Sequence, residues 1–201
     1  MAGKLLGVLL GLTQVWAGVE YLPYEMTLTW SIGPDLVYFN LSIAIIRTTY
    51  IDWWGIGLKP SNGTADMANV DFAIVTKSGL LSDRWATNNT RPELDMQLGG
   101  RNTLTYLFSQ VIGSDYVTGW YRKKSTGDVR DVVLEEGATY MVLWAIGKNG
   151  ADGEMAQHAN GKRGIHTITF TNDYVDNAAD DVQTLSFSPW LFPGLCLFLA
   201  V

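Results

Sequence analysis

Apolar and polar positions alternate with a period of two through most of the chain, and this is the signature of half-buried strands. Between residues 36 and 46, Val37, Phe39, Leu41, Ile43 and Ile45 fall on one face, and Asn40, Ser42 and Ala44 on the other. Residues 26–32 alternate in the same way, with Leu28, Trp30 and Ile32 inward. Gly33-Pro34-Asp35 between the two segments is a hairpin-type turn. Further strands are expected at 53–59, 70–76, 80–86, 103–112, 116–123, 140–146 and 163–171, which gives nine strands and no long helix. The 140–146 segment is almost continuously apolar, as a strand covered on both faces should be. Pro60-Ser-Asn-Gly63 and Lys77-Ser78-Gly79 punctuate the strands, and the polar, turn-rich stretch 87–100 is expected to be loop. Short strands separated by turns predict an all-β fold, an immunoglobulin-like antiparallel β-sandwich.

Composition sharpens this picture. Aromatic residues make up 12% of the 201 residues, with 8 Trp and 9 Tyr, and 21 Gly supply turns. That profile favours strands over helices. The net charge of −6 argues against a nucleic-acid partner. The length suits one domain between two distinct ends.

At the start, Lys4, the apolar run Leu5 to Leu12 and Val15-Trp16-Ala17 have the order of a secretory signal peptide over residues 1–17, cut after Ala17. The domain is expected over 18–173. Residues 174–184 form a spacer in which Asn177-Ala178-Ala179 are small enough to accept a glycosylphosphatidylinositol (GPI) anchor at Asn177. Residues 185–201 form a terminal apolar tail. A membrane-spanning helix needs about 20 apolar residues. This tail is shorter and carries Pro189, Pro193 and Gly194, so an anchor signal is favoured over a short span. The expected location is the extracellular face of the plasma membrane. Three sequons, at Asn40, Asn62 and Asn88, fit that route. The sole cysteine, Cys196, lies in the tail, so no disulfide is expected in the mature domain.

The scarcity of ligands narrows the chemistry. His158 and His166 are the only histidines, too few for a usual copper or hydrolytic zinc centre. No nucleophile elbow or phosphate-cradling loop is present. Met67 stands among small and polar residues in Gly63-Thr-Ala-Asp-Met-Ala-Asn-Val-Asp71, a loop in which no core is expected to need a thioether. His158 lies in the loop before the last strand, and His166 shares a strand face with Ile168 and Phe170.

Six segments in order carry a family resemblance: Trp54-Gly-Ile-Gly57, Met67 through Asp71, Leu81-Ser-Asp-Arg-Trp85, Arg122 through Asp131 with its Thr126-Gly127-Asp128 turn, Trp144-Ala145, and His158 followed by Arg163-Gly164. In this order they resemble the DOMON family, from about Leu28 to Phe170. The resemblance implies a haem b module in which Met67 and His158, alternatively His166, hold the iron. Both axial positions would then be filled, and the domain would carry single electrons rather than catalyse bond chemistry. Its partner would be a redox protein or a small reductant such as ascorbate. Trp53, Trp54 and Trp120 are candidate pocket walls, and the run Arg122-Lys123-Lys124 a candidate contact for propionates or an acidic partner. The alternative within the same family is a haem-free module that binds carbohydrate or protein.

Overall fold

A computed structural model describes residues 18–172. The signal segment, the spacer with Asn177 and the apolar tail lie outside the described residues. Among the described residues eleven strands form two antiparallel sheets: β1 (Gly18–Leu22), β2 (Met26–Ile32), β3 (Leu36–Ala44), β4 (Trp53–Pro60), β5 (Val70–Thr76), β6 (Leu81–Ala86), β7 (Glu93–Leu94), β8 (Thr105–Ile112), β9 (Asp115–Lys123), β10 (Thr139–Gly147) and β11 (Arg163–Thr169). One sheet has the order β1-β2-β3-β9-β8 and the other β11-β10-β4-β5-β6-β7. The protein is therefore an all-β antiparallel sandwich. Among the described residues no helix is long and apolar enough to cross a membrane.

The period-two rows build the interior. Leu28, Trp30 and Ile32 of β2 and Val37, Phe39, Leu41 and Ile43 of β3 face Trp54, Ile56 and Leu58 of β4 and Tyr140, Val142, Trp144 and Ile146 of β10. Phe39 stacks on Trp120, and Trp30 on Phe170, with ring centroids 5.5 and 5.4 Å apart.

Three differences from the sequence reading have local causes. β1 escapes periodicity because it turns into β2 through Pro23-Tyr24-Glu25, where Tyr24 and Glu25 take positive φ without a glycine to announce it. β3 stops at Ala44, and Ile45–Thr48 form a short helix, α1, in which the Thr48 hydroxyl bonds back to the Ile45 carbonyl. The stretch expected as loop holds β7 and a 3₁₀ turn at Asp95–Leu98, closed by Gly99 with φ +85°.

The second sheet is also apolar on its outer face. Trp53, Val70, Phe72, Ile74, Ala86, Met141 and Leu143 form a second buried cluster with Met155 from the loop after β10. Gly55 and Gly57 make this layer possible. A Cβ on Gly57 would lie 2.4 Å from Val70 Cγ1 and 2.5 Å from the Phe72 ring, and one on Gly55 2.5 Å from Ile74 Cδ1. The β5 side chains thus lie flat across β4.

Charge is buried in the interior too. Arg122 of β9 donates from Nη1 to Asp71 Oδ2 (2.5 Å) and from Nη2 to the Val132 carbonyl (2.6 Å). The Val132 N–H also donates to Asp71 Oδ2. Asp83 accepts from the Thr103 N–H and hydroxyl. The carboxylates of Asp71, Asp83 and Asp131 converge within 4.8 Å of one another, and Asp83 Oδ1 and Asp131 Oδ2 are buried with no donor. One cation among three carboxylates leaves negative charge in excess, and burial pushes Asp83 up to about 7.

Two tests follow from this architecture. Between the ordinary value of 3.8 and about 7, native Asp83 holds a proton that the unfolded chain releases. Its contribution to stability therefore falls as pH rises through that window. Asp83→Asn should flatten this dependence and stabilise the protein relative to wild type above pH 7, read as urea midpoints across pH. Gly57→Ala should destabilise by about 1–3 kcal/mol, since the outer layer must move to admit the methyl group. A urea midpoint equal to that of wild type would contradict the close packing over β4.

Candidate functional site

The outer apolar layer is the floor of an open groove of about 740 Å³. Ligand pockets span roughly 300–1,000 Å³ and are mostly apolar with a few polar groups, and this groove has that character. Trp53, Phe72, Ile74, Leu143 and Ala145 line its floor. Met67 and His158 both line it, although 91 positions separate them in sequence.

The two residues arrive from opposite ends of the sheet. Met67 lies in the loop between the end of β4 and the start of β5. His158 lies in the loop between the end of β10 and the start of β11. In the antiparallel register Tyr140 pairs with Pro60 and Gly147 with Trp53, so one loop is rooted at the Pro60 end and the other at the Trp53 end. Both fold back over the outer face. The two loops are therefore not adjacent hairpin ends, and the face of the sheet lies between their roots.

Each loop is held by its own polar contacts. Asn89 Oδ1 accepts the Met67 N–H at 2.9 Å, and Asn69, in the left-handed region at φ 57°, donates its N–H to the Ala86 carbonyl at 2.7 Å. Met67 itself is half-buried and packs against the outer cluster, so a core does surround it. On the other side, Asn149 bridges to Met155, and the Ala156 N–H donates to Lys148. Trp53 Nε1 donates to the Lys148 carbonyl at 3.0 Å, and Met155 is buried in the floor.

His158 is half-buried. Its Nε2 lies 3.4 Å from Arg163 Nη1, and its Nδ1 is buried without a partner. A guanidinium only donates, so the contact leaves the ring's lone pair on Nε2. Burial, and then the charge of Arg163, hold the imidazole below the usual histidine range. At neutral pH the ring is uncharged and able to act as a metal ligand. Arg91 and Arg163 add two cations to the groove lining, and Asn89, Thr90 and Gln157 add a polar rim.

Other candidates from the sequence lie elsewhere. His166 is on β11 opposite Val142, and its Nδ1 lies 2.7 Å from Glu20 Oε1 of β1, outside the groove lining. Trp54 and Trp120 do not wall the groove. Both are fully buried between the sheets, because the pleat turns Trp53 outward and Trp54 inward, and Trp120 stacks on Phe39. Arg122 is likewise internal and committed to Asp71, so the run Arg122-Lys123-Lys124 is not part of the groove. The residues missed from sequence are Asn89, Arg91 and the floor from β5 and β10. Asn62 and Asn88 are exposed on loops, while Asn40 is half-buried in the middle of β3 with Oδ1 enclosed by neighbours.

No family model matches the chain, and no curated protein matches it. Among solved structures it is similar to a carbohydrate binding module of family 9 from Caldicellulosiruptor kristjanssonii, solved in complex with cellotriose. That similarity has a TM-score of 0.44 and 9% identity, and it covers 85% of this chain and 88% of the other.

Proposed function

We propose that the groove on the outer face of the second sheet is a haem b site, and that the protein is a one-electron carrier. The observation that carries this reading is that Met67 and His158 line one groove after arriving from opposite ends of the sheet. The donor set fits the group. A thioether and a neutral imidazole are a common axial pair for haem iron in electron transfer. The His158 lone pair on Nε2 meets only the 3.4 Å contact from Arg163, the floor is apolar, and two arginines line the groove. Met67 and His158 would hold the iron, and Arg91 and Arg163 would face the propionates. When bound, haem b supplies a ferric/ferrous couple.

The protein's own part in this reading is to fix and insulate. Phe72, Ile74 and Leu143 exclude water from the floor, which favours the less charged state of a bound redox group. Burial, and then the charge of Arg163, keep His158 deprotonated, so its lone pair is lost only on acidification below the usual histidine range. With both donors engaged no open position would remain for a substrate, and the role would be that of a carrier rather than an enzyme. A redox protein or a small reductant such as ascorbate is the partner this reading calls for. The signal segment and apolar tail in the sequence support a place at the cell surface, held by an anchor at Asn177.

A second reading, a haem-free carbohydrate-binding module, rests on the polar rim of Asn89, Thr90, Arg91 and Gln157, whose groups suit sugar hydroxyls. Against it, sugars bind best to exposed aromatic faces, and Trp53 and Phe72 at the floor are only 3% and 4% exposed.

The two readings separate by colour. The mature protein from a haem-replete host should show a Soret band that shifts on reduction. His158→Ala should lose the haem, His166→Ala should keep it, and Met67→Leu should keep the fold but lower the reduction potential. Colourless protein that resists reconstitution and binds cello-oligosaccharides by calorimetry would replace the haem reading with the second one.

A further inference from the structure

The Met67 loop is tied down from beneath by a buried cation. Lys59 lies on the outer face of β4 beside Met141, in a row otherwise held open by Gly55 and Gly57. A lysine on an apolar sheet face usually carries its ammonium out to water. Here the side chain is only 7% exposed. A Cβ on Gly63 would lie 2.7 Å from Lys59 Cε and 3.4 Å from Cδ, so the loop closes directly over the stem. The ammonium reaches three acceptors, all within that loop: the Ala68 carbonyl at 2.6 Å, Asp66 Oδ1 at 3.0 Å and Thr64 Oγ1 at 3.4 Å. The same Asp66 oxygen also accepts from the Thr64 hydroxyl and the Ala68 N–H.

We propose that Lys59 is the positioning residue for the Met67 thioether, a buried ammonium that organises residues 64–68 as one turn and sets where the sulfur stands at the edge of the groove. Two of the three acceptors flank Met67 directly, Asp66 before it and Ala68 after it. The Met67 N–H is fixed from outside the loop by Asn89. The peptide groups on both sides of the methionine are thus anchored, one set to the sheet below and one to the loop after β6. A buried cation leaves unpaired acceptors behind when it is removed, so the contact is costly to lose. Lys59 does not line the groove, and its effect reaches the site through Asp66 and the rest of the loop. Its role in tuning a bound redox centre rests on the haem reading, whereas its role in fixing Met67 does not.

The test uses Lys59→Met, which keeps the stem and removes the charge, together with Asp66→Asn as a milder variant that spares the buried stem. The first readout is taken on haem-free protein with ¹³C-methyl-labelled methionine. The Met67 methyl resonance should move or broaden in both variants, while that of Met155 in the groove floor stays in place. Amide exchange over residues 64–69 should quicken about tenfold in Lys59→Met, with β10 unchanged. The second readout is the reduction potential of haem-loaded protein, which should shift in the same direction as in Met67→Leu, with Lys59→Arg restoring part of the wild-type value. A Met67 methyl resonance and loop exchange identical to wild type in both variants would overturn the proposal. So would a loosened loop with an unchanged Met67 resonance. Wild-type protein that takes up no haem would defeat the haem reading alone, since the methyl and exchange measurements still decide the role of Lys59.

Discussion

The constraint on which the structure depends is that one sheet is apolar on both sides. The inner face of β4, β5 and β10 builds the sandwich core, as in any two-sheet fold, but the outer face carries Trp53, Val70, Phe72, Ile74, Met141 and Leu143. Water cannot be left on that surface without a large penalty, at roughly 25 cal/mol per Å² of apolar area. The chain meets the demand with two of its connections. The loop after β4 and the loop after β10 fold over the sheet, and Met155 is pressed down as a plug. Their incomplete cover is the groove.

The sheets were legible in the sequence because alternation survives wherever one face is wet. Val37, Phe39, Leu41 and Ile43 announce β3, and 70–76 coincides with β5. The continuous apolar character of 140–146 correctly implied a strand covered on both faces. What covers it was not legible. The outer layer is assembled from β5 and β10 across two glycines, and no single segment carries its pattern. For the same reason Met67 reads as a thioether without a core when its loop is taken alone. Asn89 and Arg91 were silent because a polar stretch without periodicity gives no sign of the surface it will border. Trp54 and Trp120 were assigned to the wrong side because one step along a strand reverses the face, and composition does not say which of two adjacent tryptophans points outward.

The polar interior follows a different logic. Arg122 spends its donors on Asp71 and the Val132 carbonyl, which ties β9 to β5 and to the segment before β10. The basic run that looks like a surface patch in sequence is therefore divided by the pleat, with Arg122 turned inward and Lys123 exposed. Asp83 and Asp131 retain oxygens that no donor reaches, and a proton on Asp83 relieves the crowding. This cluster stabilises the interior at the cost of a built-in sensitivity to alkali, and none of its carboxylates lines the groove.

Because the two loops are rooted at opposite ends of the sheet, the strands act as a gauge for whatever the loops enclose. Asp71 pairs with Leu58, and Arg163 stands level with Gly55 through Ala145, so the first residues of β5 and β11 lie roughly 13 Å apart along the strands and three strand spacings, roughly 14 Å, across them. Met67 lies three residues from the start of β5, and His158 five from the start of β11. Fully extended, those tethers reach about 10 and 17 Å. Together they exceed the diagonal of that offset, roughly 19 Å, by less than the length of either tether. The spacing between sulfur and imidazole is thus bounded by covalent geometry. Chains of this architecture with both tethers shortened by two residues would have their donors stranded on separate rims, however well the sandwich itself was preserved.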